Sequence, residues 1–339
     1  MTPRPPRFSR VAAEIIALVY IAIVAAVANA TGAFYVMFPE LGALSHDVFT
    51  RPRGTWAKAP MLLAITPVIT GAIGIAITRS MPYGYLSVLL NVVGAIVVIL
   101  AMRSPIAPAI SAGLLPLVLG VTSWWYPSGI LFGTVLLAVI SILWKRYGVT
   151  DDATVPLAET SEEVAEEIAE DITHEIAAPV RARYEKIAAL IVFVAAAVLA
   201  VNLTGWRFIL FPPLVVIGFE MFVHPDICPW ANRPLMLPVA CFLTALGGFI
   251  FWKFLGVTPI TAVASMGWGI IVLRALDLHV PPALAVALLP LVMTNPTWIY
   301  PISVGLGTLM LTGWFFLCEW MLADFLGSRY DAGTDAQIG

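Results

Sequence analysis

The chain has 339 residues, of which 60% are hydrophobic and 12% charged, and its mean hydropathy is +0.93. A soluble domain carries about 25% charged residues, so this composition excludes an ordinary water-soluble fold and points to an all-α polytopic membrane protein. The net charge of −3 hides an asymmetry: ten carboxylates lie between Asp151 and Glu175, and without them the chain carries about +7.

Arg4, Arg7 and Arg10 precede an apolar run, and Ala28-Asn29-Ala30 resembles a signal cleavage site. A retained first span over 11–30 is expected instead, because the residues just after the run recur deep in the chain. A weaker segment follows over 34–49, then clear spans over 59–78 and 84–102, a weak segment over 105–122 and a span over 128–147. In the acidic stretch, Thr160-x-x-Glu163 has the form of a capping box and Pro179 comes after the end, which predicts a helix. Val164, Ile168, Ile172 and Ile176 give it a narrow apolar stripe, suited to packing on the protein or to a partner contact. The earlier order then returns, with spans over 187–204, 235–254, 257–275 and 301–321 and weak segments over 208–223 and 280–296. The weak segments are short or interrupted by proline; tilted spans, broken helices and re-entrant loops all fit them.

The return is residue by residue. Asn29-x-Thr31-Gly32 matches Asn202-x-Thr204-Gly205, and Phe38-Pro39-x-Leu41 matches Phe211-Pro212-x-Leu214, at an offset of 173. After one inserted residue the offset is 174. Trp56-Ala57 then matches Trp230-Ala231, Leu115-Pro116-Leu117-Val118 matches Leu289-Pro290-Leu291-Val292, and Trp124-x-Tyr126-Pro127 matches Trp298-x-Tyr300-Pro301. A tandem duplication is therefore expected: a first membrane unit over 1–149, an acidic linker helix over 150–180, a second unit over 181–323 and a tail over 324–339. The N-terminal arginines, Lys145-Arg146 and the Arg181/Arg183/Lys186 cluster flank the starts and ends of the units. The positive-inside rule places them all in the cytoplasm. Each unit then crosses an even number of times, four or six, and the two units are parallel rather than inverted. Four full spans plus two short or broken helices per unit is the expected layout. An inner-membrane protein with both termini and linker in the cytoplasm follows.

Ionisable residues at membrane depth are costly and are site candidates. Here they are Glu40, His46, Asp47, Arg103, Glu220, Arg274, Asp277, His279 and Glu319. Asp47, Glu220 and Asp277 are assigned as coupling or structural charges; for Glu220, either a structural pair with Arg233 or Arg53 or a functional role fits. Asn29, Thr31, Asn202 and Thr204 sit at equivalent breaks, each before a glycine. Such residues cap a broken helix or donate hydrogen bonds to a small solute beside a helix N-terminus. Leu278-His279-Val-Pro281-Pro282 opens a further proline-initiated segment, with Pro105-Ile-Ala-Pro108 as its first-unit equivalent. His224-Pro-Asp226-Ile-Cys228 is crowded and unsupported by a second cluster, so a structural loop is expected and no metal. Cys228, Cys241 and Cys318 are isolated and read as apolar thiols. No nucleotide loop, nucleophile elbow or paired acid–base constellation is present, so neither an enzyme nor a cofactor is expected.

Leu278-His279-Val-Pro281-Pro282-Ala283-Leu-Ala285 resembles the segment that names the HPP family of integral membrane proteins, typically Leu-His-Pro-Pro-Ala-Gly-Ala. The upstream stretch from Phe211-Pro212-Pro213 through Glu220-Met-Phe222 to Pro229-Trp-Ala-Asn232-Arg233-Pro234 is similar to that family's first half. The likeness covers most of the second unit, and the first by way of the duplication. It departs from the family in the valine inside His-Pro-Pro, in the absence of the histidine from the first unit, and in Leu284 where the family has glycine. The resemblance implies four-span units and permeation of a small anion such as nitrite, with His279, Pro281, Pro282, Asn232 and Arg233 as carried-over candidates. Arg274, from the second unit alone, joins the expected substrate-binding set.

The expected function is a channel or secondary transporter for a small inorganic anion, working through broken-helix N-termini. The alternative is a non-transporting membrane scaffold or sensor that signals through the acidic linker helix. Expected partners are the lipid bilayer and a small anion, with a homo-oligomer left open and no nucleic acid.

Overall fold

The computed structural model describes residues 10–148, 180–225 and 228–335, and all regular structure among them is helical. The expected acidic linker helix lies outside the described residues. In chain order the helices are α1 Arg10–Thr31, a 3-10 turn Phe34–Val36, α2 Glu40–Thr50, α3 Thr55–Lys58, α4 Pro60–Ser80, α5 Tyr85–Met102, α6 Ala109–Leu119 and α7 Trp125–Gly148. Then come α8 Val180–Thr204, a turn Arg207–Leu210, α9 Pro212–Val223, α10 Met236–Leu255, α11 Pro259–Ala275, α12 Pro282–Leu288, a turn Leu289–Leu291 and α13 Ile299–Asp335.

Among the described residues, seven helices are long and apolar enough to cross a membrane: α1, α4, α5, α7, α8, α10 and α13. Eight were expected. The eighth, α11, is apolar but only 17 residues long. It is cut at its start by Gly256 and the Thr258 cap, whose hydroxyl accepts from the Thr261 amide, and soon after its end by Asp277 in the left-handed region. α13 continues to Asp335, through the start of the tail expected from 324. Lipid exposure is written on the outer helices. Val11, Ile15, Val19 and Ile23 form a bare stripe along α1, as do Leu86, Leu90, Val93 and Val97 along α5. Apolar stripes of that length face lipid, not water.

The weak segments of the sequence form the core. α2 from Glu40 to Phe49, α6 from Ala109 to Val118 and all of α12 are buried, and α9 is buried except at Glu220. Helices apolar on every side carry no face periodicity, and these are short because prolines set their starts. Residues 34–50 do not turn back. They run alongside α7 in the same direction, from Tyr35, whose carbonyl lies against Gly129, to Phe49, whose carbonyl accepts from the Trp144 indole at 3.1 Å. That stretch of α7 rises about 22 Å. In the same way Phe208 meets Tyr300 at a ring-centroid separation of 5.3 Å and Phe222 meets Phe315 at 5.6 Å, so 208–223 runs along α13.

Around this core, α4 packs on α5, α6 and α7, and α10 packs on α11, α12 and α13. The two groups meet where α1 packs on α11, α5 on α8, α2 on α12 and α6 on α9. Without a hydrophobic drive between helices in lipid, close packing and polar bonds hold the bundle. A Cβ on Gly74 would strike the Gly113 carbonyl, and one on Gly248 the Ala287 carbonyl. The Tyr126 hydroxyl donates to Ala112 O at 2.9 Å and the Tyr300 hydroxyl to Val286 O at 2.5 Å. Arg103 and Asp277 adopt the left-handed region at φ 49° and 50°, each just past a helix end.

A buried ionic cluster as candidate functional site

Four elements that are far apart in sequence converge at one end of the bundle: the start of α1, the end of α2, the end of α11 and the loop into α12. Glu14 sits one turn inside α1, where it follows Arg10 at helical spacing, and it is 5% exposed. Arg274, in the last turn of α11, clamps it with Nε on Oε1 at 3.0 Å and Nη2 on Oε2 at 2.5 Å. Arg10 Nε adds a longer contact at 3.4 Å. On α2, His46 and Asp47 are both buried. His279 Nε2 lies 3.0 Å from Asp47 Oδ1, Arg51 Nη1 lies 3.4 Å from the same oxygen, and His46 Nε2 stands 4.0 Å from Glu14. The His46 and His279 rings are 6.1 Å apart, and His46 Nδ1 is buried without a partner.

Two carboxylates are thus held by one two-pronged guanidinium contact and one imidazole, with a second imidazole between them. Guanidinium forks bind any group with two syn oxygens, a small oxyanion as well as a carboxylate. The imidazoles add ring nitrogens that can donate or accept a hydrogen bond. Among the described residues, no group of three or more His, Cys, Asp or Glu has the arrangement of a metal site.

Of the residues singled out from sequence, Arg274, His279, Asp47 and His46 come together here. Glu14, the acidic partner, was missed; its one available sign was a lone carboxylate four residues after Arg10 inside an apolar run. Glu220 does not pair with Arg233 or Arg53. It holds His224 at 3.0 Å, one turn on along its own helix end, while Arg233 reaches the exposed Asp277 at 3.6 Å. The short reach along one helix wins because Arg233 is occupied on the next loop. Asn232 is exposed beside it.

Asn29, Thr31, Asn202 and Thr204 are exposed at the opposite ends of α1 and α8, away from the cluster. Thr31 donates to Val27 O at 2.7 Å and accepts from the Ala33 amide, and Thr204 repeats this with Ala200 O at 2.7 Å and the Trp206 amide. These are helix-end bonds that leave the hydroxyls engaged. Asn29 borders a shallow crevice with Phe34, Met37 and Thr258. Outside the spans, burial pushes the Cys228 thiol up to about 12.

Comparison with protein-family models, curated proteins and solved structures returns no match.

Proposed function

We propose that the chain is a channel or secondary transporter for a small inorganic oxyanion, nitrite-like in size, with the Arg274–His279–His46 cluster as its solute site. The observation that carries this reading is the two-oxygen grip of Arg274 on Glu14 at a helix-packing seam at one end of the bundle. In it, Glu14 stands where an oxyanion would bind, and an entering anion competes with it for the guanidinium. The HPP-like segment Leu278–Ala285 favours the same substrate class.

The same reading takes the chain as two parallel tandem units. It is supported by bonds that recur at the sequence offset: Tyr126 to Ala112 O and Tyr300 to Val286 O, Gly74 on Gly113 and Gly248 on Ala287, Thr31 and Thr204, Arg103 and Asp277. It is also supported by the packing of α1 on α11 and α2 on α12, which mirrors that of α8 on α5 and α9 on α6. With 34–50 and 105–122 of the first unit, and 208–223 and 280–296 of the second, counted as crossings, each unit crosses six times, and both termini and the linker lie on the cytoplasmic side of the inner membrane. On this reading Asn29, Thr31, Asn202 and Thr204 cap the far helix ends, and Asp47 and Glu220 are the matched carboxylates of the two units.

The test is uptake of nitrite, nitrate and formate into proteoliposomes. Arg274→Gln with His279→Gln should abolish flux, while Asn202→Leu with Thr204→Val should leave it. The reverse pattern would move the site to the helix breaks, and no flux of any small anion by the unaltered protein would sink the class.

A further inference from the structure

Glu40 lies outside the ionic cluster, about 10 Å along α2 from Asp47, and is the most deeply buried carboxyl among the described residues, 1% exposed. The Ser111 hydroxyl, from α6, donates to its Oε1, while Oε2 is buried with no hydrogen-bond partner. Among the described residues no arginine, lysine or histidine pairs with it. The titratable groups that face it are two phenols, Tyr126 of α7 and Tyr300 of α13, within electrostatic reach. Both hydroxyls are already spent on the Ala112 and Val286 carbonyls.

The four short helices form an inner ring in which α2 packs on α12, α12 on α9 and α9 on α6. The last side is different. α2 and α6 approach far less closely than α9 and α12 do, and the Glu40–Ser111 bond bridges them. The matched positions in the second unit are Pro213 and Ala285, so the polar bridge belongs to one seam alone.

The charge state follows from magnitudes. An ionised carboxylate buried without a cation is strongly disfavoured. One hydrogen bond from Ser111 and the N-terminus of α2 recover only part of that penalty. A neutral acid avoids the cost of the buried charge and leaves only one O–H without an acceptor, the smaller of the two penalties.

We propose that Glu40 is a proton-binding site, a neutral carboxylic acid at physiological pH lodged in the seam between α2 and α6. Its proton passes to water only when that seam parts, leaving a carboxylate that water then solvates. This goes beyond the anion reading and does not rest on it.

Infrared spectroscopy of the whole protein in lipid tests it without any transport assay. At neutral pH the unaltered protein should show the carbonyl stretch of a protonated carboxylic acid, missing from Glu40→Gln. Ser111→Ala should keep the band but shift it, because a bond to the carbonyl oxygen is gone. Identical spectra for the unaltered protein and Glu40→Gln would overturn the proposal. So would loss of the band on adding sodium at constant pH, which would make the site one for a metal cation.

Discussion

Removing Arg274 should damage the protein more than removing Glu14, although the two form one ion pair. The Glu14 side chain is 7% exposed and the Arg274 side chain 41%. When Glu14 is replaced by leucine, Arg274 turns to water at the bundle end, and the loss is the modest one of a half-exposed pair, about 1 kcal/mol. When Arg274 is replaced by methionine, Glu14 has no such exit. Breaking a buried pair from one side costs about 3–5 kcal/mol, and the lower end applies because Arg10 remains at 3.4 Å. The double variant, Glu14→Leu with Arg274→Met, packs two apolar chains in the same seam and should come within about 1 kcal/mol of the unaltered protein. The coupling is then about 3 kcal/mol, at the top of the range for contacting residues. Reversible unfolding in mixed micelles, followed by tryptophan fluorescence, measures all three. A double variant as unstable as the sum of the singles would refute the argument that the buried charge is what makes Arg274 costly to lose.

Two further outcomes follow from the geometry. Tyr126→Phe and Tyr300→Phe should each lower stability by about 1 kcal/mol, and by similar amounts, since each phenol donates to a carbonyl of a core helix; widely different losses in the same unfolding assay would argue against equivalent sites. With Cys241 and Cys318 replaced by serine, Cys228 should resist maleimide at pH 8, because burial holds its thiol up to about 12 rather than the ordinary 9.0. A thiol raised in the folded state stabilises the fold below that ordinary value, and this contribution is lost as the pH rises through the shifted one. Rapid labelling at pH 8, read by mass spectrometry, would show the loop to be open.

Long apolar spans were legible from hydropathy, and most bounds agree to within two or three residues. α7 begins at Trp125 rather than 128 because Pro127 fits the first turn of a helix. The weak segments were located but not oriented. Hydropathy reports burial without saying what does the burying, and α2 and α6 are covered by protein on all sides. The cluster was the least legible part. Arg274 and Glu14 are 260 residues apart and His279 and Asp47 are 232 apart, so only the packing of α1 and α2 on α11 and α12 brings them together. Asn202 and Thr204 stood out for recurring, but a recurring helix cap recurs as faithfully as a recurring site.

The one-sided ionic seam also bears on how the chain would behave if it were cut. On the duplicated reading, Glu14 and Asp47 match Ile187 and Glu220, while Arg274 and His279 match Leu100 and Pro105. Two copies of the amino-terminal half, docked in the same way, would set Glu14 against Leu100 and leave its carboxylate without the arginine. Two copies of the carboxy-terminal half would set Arg274 against Ile187. Only one of each half satisfies both members of the pair. Severed within the acidic linker and co-expressed, the halves should therefore find each other in preference to themselves, and the seam acts as an address label as well as a joint.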